Sequence, residues 1–210
     1  MRAGVIINAR ARRIRHQPGF AGELANLLNA EGIQATLYTC PPGNLARELQ
    51  AASRARPDVL IAAGGDGTIS SVAEACLEHR LPLGVIPAGT HNHFARDLGM
   101  PLDLAEAVRC LARGQVANLD AGEVNGRPFI NNSSVGAYPR AVEERDALMD
   151  RYGLRKSVAQ LLATLRVFAR RPLVRARIEI DGRMAEQRPT PFVFVGNNLY
   201  QIRPMAGRLR

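Results

Sequence analysis

Two glycine-rich loops of similar chemistry stand 20 residues apart, each behind a short apolar run: LIAAGGDGT at Leu60 to Thr68, and GVIPAGT at Gly84 to Thr90. Glycine admits backbone conformations closed to other residues and lets N–H groups approach an anion with no Cβ in the way. Gly64, Gly65, Gly67 and Gly89 therefore suit a phosphate cradle, with Thr68 and Thr90 adding hydroxyls and Ile69 leading into the helical stretch from Ser70. The N-terminus of that helix would offer free N–H groups and partial positive charge. Thr68 has two readings, a helix cap or a phosphate ligand, and so does Asn92 in the second loop. Asp66 is the odd member. A carboxylate beside phosphate is repulsive unless a cation intervenes or unless it accepts a hydroxyl proton, which points to Mg²⁺-nucleotide chemistry or an acceptor hydroxyl. The competing reading is an N-cap aspartate in a tight strand-to-helix turn. The loop is neither a P-loop nor a GxGxxG fingerprint.

The elements needed to hold these loops are legible. Apolar runs at Ala3 to Asn8, Ile33 to Thr39, Asp58 to Ala63 and Leu83 to Ile86 predict strands, and they read as buried parallel strands rather than alternating ones. Helical spacing predicts helices over Phe20 to Glu31, Leu45 to Arg54, Ser70 to His79, Asn92 to Leu98 and Leu102 to Arg113. Strict alternation of strand and helix argues a Rossmann-like α/β domain, a parallel sheet with helices on both faces, over residues 1–116. In such a sheet ligands bind beyond the carboxyl ends of the strands, where both glycine loops fall.

After Val116 the rhythm changes. Val116 to Val124 and Arg127 to Asn131 are predicted strands around the hairpin dipeptide Asn125-Gly126. Helices are expected near Ala141 to Met149 and Leu154 to Arg171, then strands at Val174 to Ile180 and Pro191 to Val195. A β-rich second domain is therefore expected over 117–210, and the stop at Arg210 soon after a strand reads as an incomplete one. Leu154, Val158, Leu161, Leu162, Leu165 and Phe168 share one helical face, flanked by Arg155, Lys156, Arg166, Arg170 and Arg171. That face suits either packing on the second domain or an anionic membrane surface.

Charge and composition narrow the classes. Residues 1–120 carry 12 basic and 11 acidic residues and residues 121–210 carry 16 and 8, so nearly all of the net charge of +9 sits in the second part. A basic half suits nucleic acid, anionic membrane or phosphate-rich ligands. With 5% aromatic residues and no nucleic-acid-binding motif, nucleic acid is the weakest of these. No apolar stretch reaches the length of a membrane span and no signal peptide is recognised, so a cytoplasmic location is the default. The 3 cysteines, Cys40, Cys76 and Cys110, are too scattered for a disulfide framework or a zinc knuckle. His91 and His93, two apart at a helix start, are expected to diverge and chelate poorly. Ser133 and Ser134 lack the context of a nucleophile elbow.

GGDGT at Gly64 to Thr68 followed by IPAGTHNHFARDLGMP at Ile86 to Pro101 resembles the bacterial diacylglycerol kinase-like lipid kinases, relatives of the sphingosine kinases and, more distantly, of the NAD kinases. The resemblance runs on through LDAGEVNGRPFINNSSVGAYP and PFVFVGNNLY. It implies ATP- and Mg²⁺-dependent phosphotransfer to a lipid hydroxyl, in a cleft between an α/β domain and a β-sandwich-like domain. By position, Gly64 to Ser70 would hold the nucleotide phosphates, Thr90 and Thr39 would line the nucleotide site, and Asp66 would be the carboxylate near the acceptor. A peripheral membrane contact is implied, with metal ligands and oligomeric state open, a homodimer included.

Three departures stand out. The family's Asn-Pro-x-Ser-Gly turn reads NARAR here, keeping Asn8 and adding arginines that either clamp phosphate or simply face solvent. Ser70-Ser71 replaces a common Asn-Glu, and His93 stands where aspartate is common. The acidic general base and magnesium site of the family are expected beyond residue 210, since Asp181-Gly182-Arg183 precedes VFVGNN rather than following it. Two alternatives to a lipid kinase follow: a nucleotide- or lipid-binding module without catalysis, and an NAD kinase-like enzyme.

Overall fold

The computed structural model describes residues 1–170 and 173–197, without the side chains of residues 185–188. Arg171 of the basic helix and residues 198–200 of the last family-like segment lie outside the described residues.

Residues 1–131 form one compact unit and residues 132–210 another. The first is built on β1 (Arg2–Asn8), β2 (Gln34–Cys40), β3 (Val59–Gly64) and β4 (Leu83–Pro87), all parallel, in the order β2-β1-β3-β4. Six helices belong to it: α1 (Arg12–Arg15), α2 (Phe20–Ala30), α3 (Leu45–Arg54), α4 (Asp66–His79), α5 (His93–Asp97) and α6 (Leu104–Arg113). Side chains alternate across the strands, so Val5, Ile7, Ile61 and Ile86 meet Phe20 and Leu24 of α2 and Leu104 and Val108 of α6 on one face. Ile6, Leu60, Ala62 and Val85 meet Leu49 of α3, Ile69 and Val72 of α4 and Phe94 of α5 on the other. Every residue of β3 is buried, which is why its sequence is uniformly small or apolar. The strand order creates a switch point. The chain leaves β1 toward β2 on one side and returns to β3 on the other, so the loops after β1 and β3 diverge and open a crevice.

Two boundaries differ from expectation. Helix α4 begins at Asp66, not Ser70, because extended Gly65 is the N-cap and its carbonyl accepts from Thr68 N at 2.9 Å and Ile69 N at 3.0 Å. Half of GGDGT is therefore the first helical turn, and Thr68 lies inside the helix rather than capping it. Farther on, the strand expected from Val116 contracts to β5 (Gly122–Val124), paired with β6 (Arg127–Phe129) through Asn125 and Gly126, both at positive φ as a type I′ turn requires. This hairpin joins the first unit: Arg127 pairs with Glu74 of α4 at 3.6 Å and Ile130 is buried in the core beside α4. The division thus falls after Asn131, whereas the change in sequence rhythm near 117 marks where the α/β alternation stops.

The second unit contains β7 (Asn132–Gly136), α7 (Ala137–Tyr152), α8 (Lys156–Ala169), β8 (Val174–Ile180), β9 (Arg183–Thr190) and β10 (Phe192–Gly196). β7 pairs antiparallel with β10, placing Ser133 and Ser134 in a strand, and β8 with β9 around Asp181-Gly182. Helices α7 and α8 are joined by residues 153–155, Gly153 taking the left-handed cap conformation at φ 62°. They pack through small residues: Ala137 and Ala141 meet Val167, and Leu148 meets Ala159 and Ala163.

Candidate functional site

The site is built where three strand-end loops of the first unit meet. Its floor is a row across the sheet: Thr39, Ile7, Ala63 and Ile86 are in register, and one position on, Gly64 pairs with Pro87. Beyond that row the two glycine loops touch backbone to backbone. A Cβ on Gly89 would sit 2.4 Å from the Cα of Gly65 and 2.8 Å from Asn92 Oδ1. A Cβ on Gly64 would sit 2.6 Å from the Thr68 hydroxyl oxygen. Gly64 and Gly89 are thus required by close approach, and Gly65 is tight, a Cβ there lying 3.2 Å from Gly89 Cα. The fourth, Gly67, is exposed, and a Cβ there would meet nothing within 4 Å; its bare backbone faces open space at the start of α4.

Asp66 binds these loops together. Its Oδ1 accepts the backbone N–H of Phe94 at 3.1 Å, so it caps the N-terminus of α5, a helix 28 residues away, rather than its own. This satisfies an N–H orphaned at a helix start, as a side-chain N-cap does. The α5 N-cap residue, Asn92, cannot do so: it takes a left-handed conformation at φ 52° and folds its amide back onto its own loop, Oδ1 accepting from Gly89 N at 2.8 Å and Nδ2 donating to Gly89 O at 3.3 Å. Asn92 is buried and closes the second loop. The carboxylate of Asp66 is half-buried, and its Oδ2 has no hydrogen-bond partner among the described residues.

The loop after β1 supplies the third wall. Asn8, at the carboxyl end of β1, donates from Nδ2 to Thr68 Oγ1 at 2.8 Å and accepts Arg10 N at 3.0 Å. Because Thr68 Oγ1 already accepts here, its own proton is directed away from Asn8. Arg13 N donates to Ala88 O at 3.1 Å, and the Arg13 guanidinium is fixed on Leu102 O at 2.9 Å. An open cavity of about 510 Å³ is lined by Arg12, Arg13, His16, Gly89 and Thr90. Arg10 and Arg12 are exposed and have no side-chain partner among the described residues. Asp103, which caps α6 through Glu106 N at 3.1 Å, is held below the usual carboxylate range first by that bond and further by Arg13.

The residues singled out from sequence divide accordingly. Gly64, Gly65, Asp66, Gly67, Thr68, Gly89 and Asn92 come together, with Thr90 exposed on the cavity wall. Ser70 lies half-buried at the start of the second turn of α4. Ile69 is wholly buried and packs in the core, leaving no side-chain atom for a ligand. Thr39 sits exposed on edge strand β2, two strands from β3 and so about 10 Å from the glycine loop. His91 and His93 do not diverge: with Asn92 at positive φ and α5 starting only at His93, their rings stack at 5.4 Å and 12°. Among the described residues no group of three or more His, Cys, Asp or Glu could hold a metal ion. Asn8 was noted in sequence only as a remnant of a turn; its role depends on β1 and β3 being neighbours, which no local pattern states.

A parallel sheet with glycine loops and a helix N-terminus at a switch-point crevice defines a ligand-binding α/β domain of the doubly wound kind. Residues 2–124 match the diacylglycerol kinase catalytic domain, and the chain belongs to that family. Its relatives include the diacylglycerol kinase of Bacillus subtilis (strain 168), 38% identical over 138 residues, 64% of this chain and 46% of that one. Another is the "Probable lipid kinase YegS-like" protein of Klebsiella pneumoniae (strain 342), 36% identical over 119 residues, 55% of this chain and 40% of that one. The chain spans about half the length of the curated relatives it matches. The crystal structure of a diacylglycerol kinase from Bacillus anthracis str. Sterne shares the fold, with a TM-score of 0.64 at 23% identity over 95% of this chain and 64% of that one. A second solved structure from that organism gives 0.67 at 25% identity, covering 95% and 67%.

Proposed function

We propose that the crevice binds ATP with Mg²⁺ and that the chain serves phosphoryl transfer to a lipid hydroxyl, diacylglycerol or a related alcohol, as a peripheral cytoplasmic protein at a membrane surface. The observation that carries this reading is the clamp from Asp66 Oδ1 to Phe94 N, which ties the two glycine loops into one wall and leaves Asp66 Oδ2 without a hydrogen-bond partner among the described residues. Two features fit a bound polyphosphate. Gly67 presents bare backbone, and Arg12 and Arg13 stand at the cavity beside Gly89. Mg²⁺ is commonly held by one or two carboxylates plus phosphate oxygens and water, and Asp66 is the carboxylate here that fits that role. When bound, the metal would neutralise charge on the transferring group.

Transfer forms a bond from the acceptor oxygen to the γ-phosphorus and breaks the bond from that phosphorus to the β–γ bridging oxygen. ADP leaves, and the acceptor proton passes to a base. With Oδ1 engaged on Phe94 N and Oδ2 given to the metal, Asp66 would position the transferring group beside the acceptor and would not itself take that proton. Incubation with labelled ATP, Mg²⁺ and diacylglycerol in detergent micelles should yield labelled phosphatidic acid, and Asp66→Asn should abolish it. Calorimetry that finds no MgATP binding to the folded chain would overturn the reading.

The engagement of Asp66 as a helix cap favours one second reading, a nucleotide-binding module without transfer. MgATP binding with no labelled product from lipid, and none from NAD, would select it.

A further inference from the structure

Helix α8 is built inside out. It buries Ala159, Ala163 and Val167 against α7 and turns its large residues outward: Val158 is 46% exposed, Leu161 61%, Leu162 37%, Leu165 60% and Phe168 58%. At 100° per residue these five span about 120° of the helix surface with no polar interruption. Any globular helix needs an apolar stripe facing its neighbours. This one has two, and the larger-residue stripe faces away from the helix it packs on.

The charges around that stripe are of one sign. From Arg151 to Ile178 the sequence carries eight Arg or Lys and no Asp or Glu. Arg155, Lys156 and Arg170 stand exposed at the two ends of α8 with no ion-pair partner among the described residues, while Arg166 is paired with Glu144 of α7 at 3.0 Å. A second copy of the same face would bring like charges together, which opposes self-association. A bilayer containing anionic lipid offers both an apolar interior and negative headgroups. At 14 residues α8 is about 21 Å long, and no helix among the described residues is long and apolar enough to cross a membrane.

We infer that α8 is an interfacial membrane anchor, lying in the plane of an anionic bilayer with Leu161, Leu165 and Phe168 among the acyl chains, Arg155 at the headgroups beside the stripe and Arg170 reaching them from the C-terminal end. This rests on the lipid-substrate reading, which is what brings the chain to a bilayer, but its readouts are separate from nucleotide chemistry.

The chain has no tryptophan, so Leu165→Trp places a single fluorophore on the face and Leu77→Trp, on the exposed side of α4, a control. Vesicles of equal phosphatidylcholine and phosphatidylglycerol should blue-shift the emission of the first and not the second, with added salt weakening the effect. Leu161→Asp/Leu165→Asp should bind these vesicles about a hundredfold more weakly in sedimentation, keep its circular dichroism spectrum and bind MgATP as the parent does. Arg155→Glu/Arg170→Glu, which leaves the apolar residues in place, should lose the preference for anionic over neutral vesicles. Failure of MgATP binding with a normal blue shift would overturn the nucleotide reading and leave this one standing. Three results would overturn the anchor: no shift on vesicle addition, an emission already blue before vesicles are added, which would mean that protein covers the face, or undiminished sedimentation of the aspartate variant.

Discussion

The two units solve the burial problem in opposite ways. In the first, branched and aromatic side chains such as Phe20, Ile6, Leu24, Leu60 and Ile86 are fully enclosed between sheet and helices. In the second, alanines fill the α7–α8 interface while leucines, a valine and a phenylalanine look outward. The first unit is a closed scaffold that carries the strand-end loops. The second turns the large apolar side chains of α8 outward. A residue's size and hydrophobicity therefore mean different things on the two sides of Asn131.

Truncating one large residue in each unit is the hardest test of this contrast. Ile6→Ala should cost about 2–5 kcal/mol by cavity formation, whereas Leu165→Ala should fall within about 0.5 kcal/mol as a surface change, both read by urea unfolding. Comparable losses would break the comparison. Within the first unit, Gly89→Ala forces a Cβ to 2.4 Å from the Gly65 backbone and should lower stability by about 1–3 kcal/mol while removing MgATP binding. Gly67→Ala has room and should leave stability equal or slightly higher, because alanine suits a helical turn better; any loss of MgATP binding there would be local to the nucleotide. Asp66→Ala removes the cap on α5 and should cost about 0.5–2 kcal/mol, whereas Asp66→Asn retains an accepting oxygen and should be close to wild type in stability. A matched loss in both would mean that charge, not the hydrogen bond, holds the loops.

The smallest effect concerns the thiols. Burial pushes Cys76 up to about 12, and burial, helped by Glu48, pushes Cys40 up to about 11. The unfolded chain releases these protons near the ordinary thiol value of about 8.5. The stabilisation from both groups is therefore complete below that pH and is lost as pH rises toward 11–12. Cys76→Ala should flatten the alkaline limb of the stability profile. At neutral pH exposed Cys110 should react with a thiol reagent well before the two buried cysteines.

Local chemistry made much of this legible. Helix α3 and strand β8 have the bounds that periodicity predicts, because a cleanly amphipathic run and a run alternating apolar with charged residues leave little choice. The glycine loops were recognisable because their residue types have few other uses at the end of a buried strand. Partnerships across the chain were not. Asp66 finds Phe94 only after β3 and β4 align, and β7, with its turn-like sequence NSSVG, becomes a strand only because β10 arrives to pair with it. The α8 stripe was identified correctly as apolar, but periodicity cannot say which of two apolar faces a helix buries when the other is lined with alanine.

The backbone contact between Gly65 and Gly89 also bears on how this protein can change. Gly89 cannot gain a side chain unless the Gly65 loop withdraws, and withdrawal would pull Asp66 off the α5 N-terminus, whereas a Cβ on Gly65 would need a shift of only a few tenths of an ångström. The contact is therefore one-sided in heredity: random mutagenesis at Gly89 alone meets a wall, and drift there must wait for compensation in the loop of Gly65.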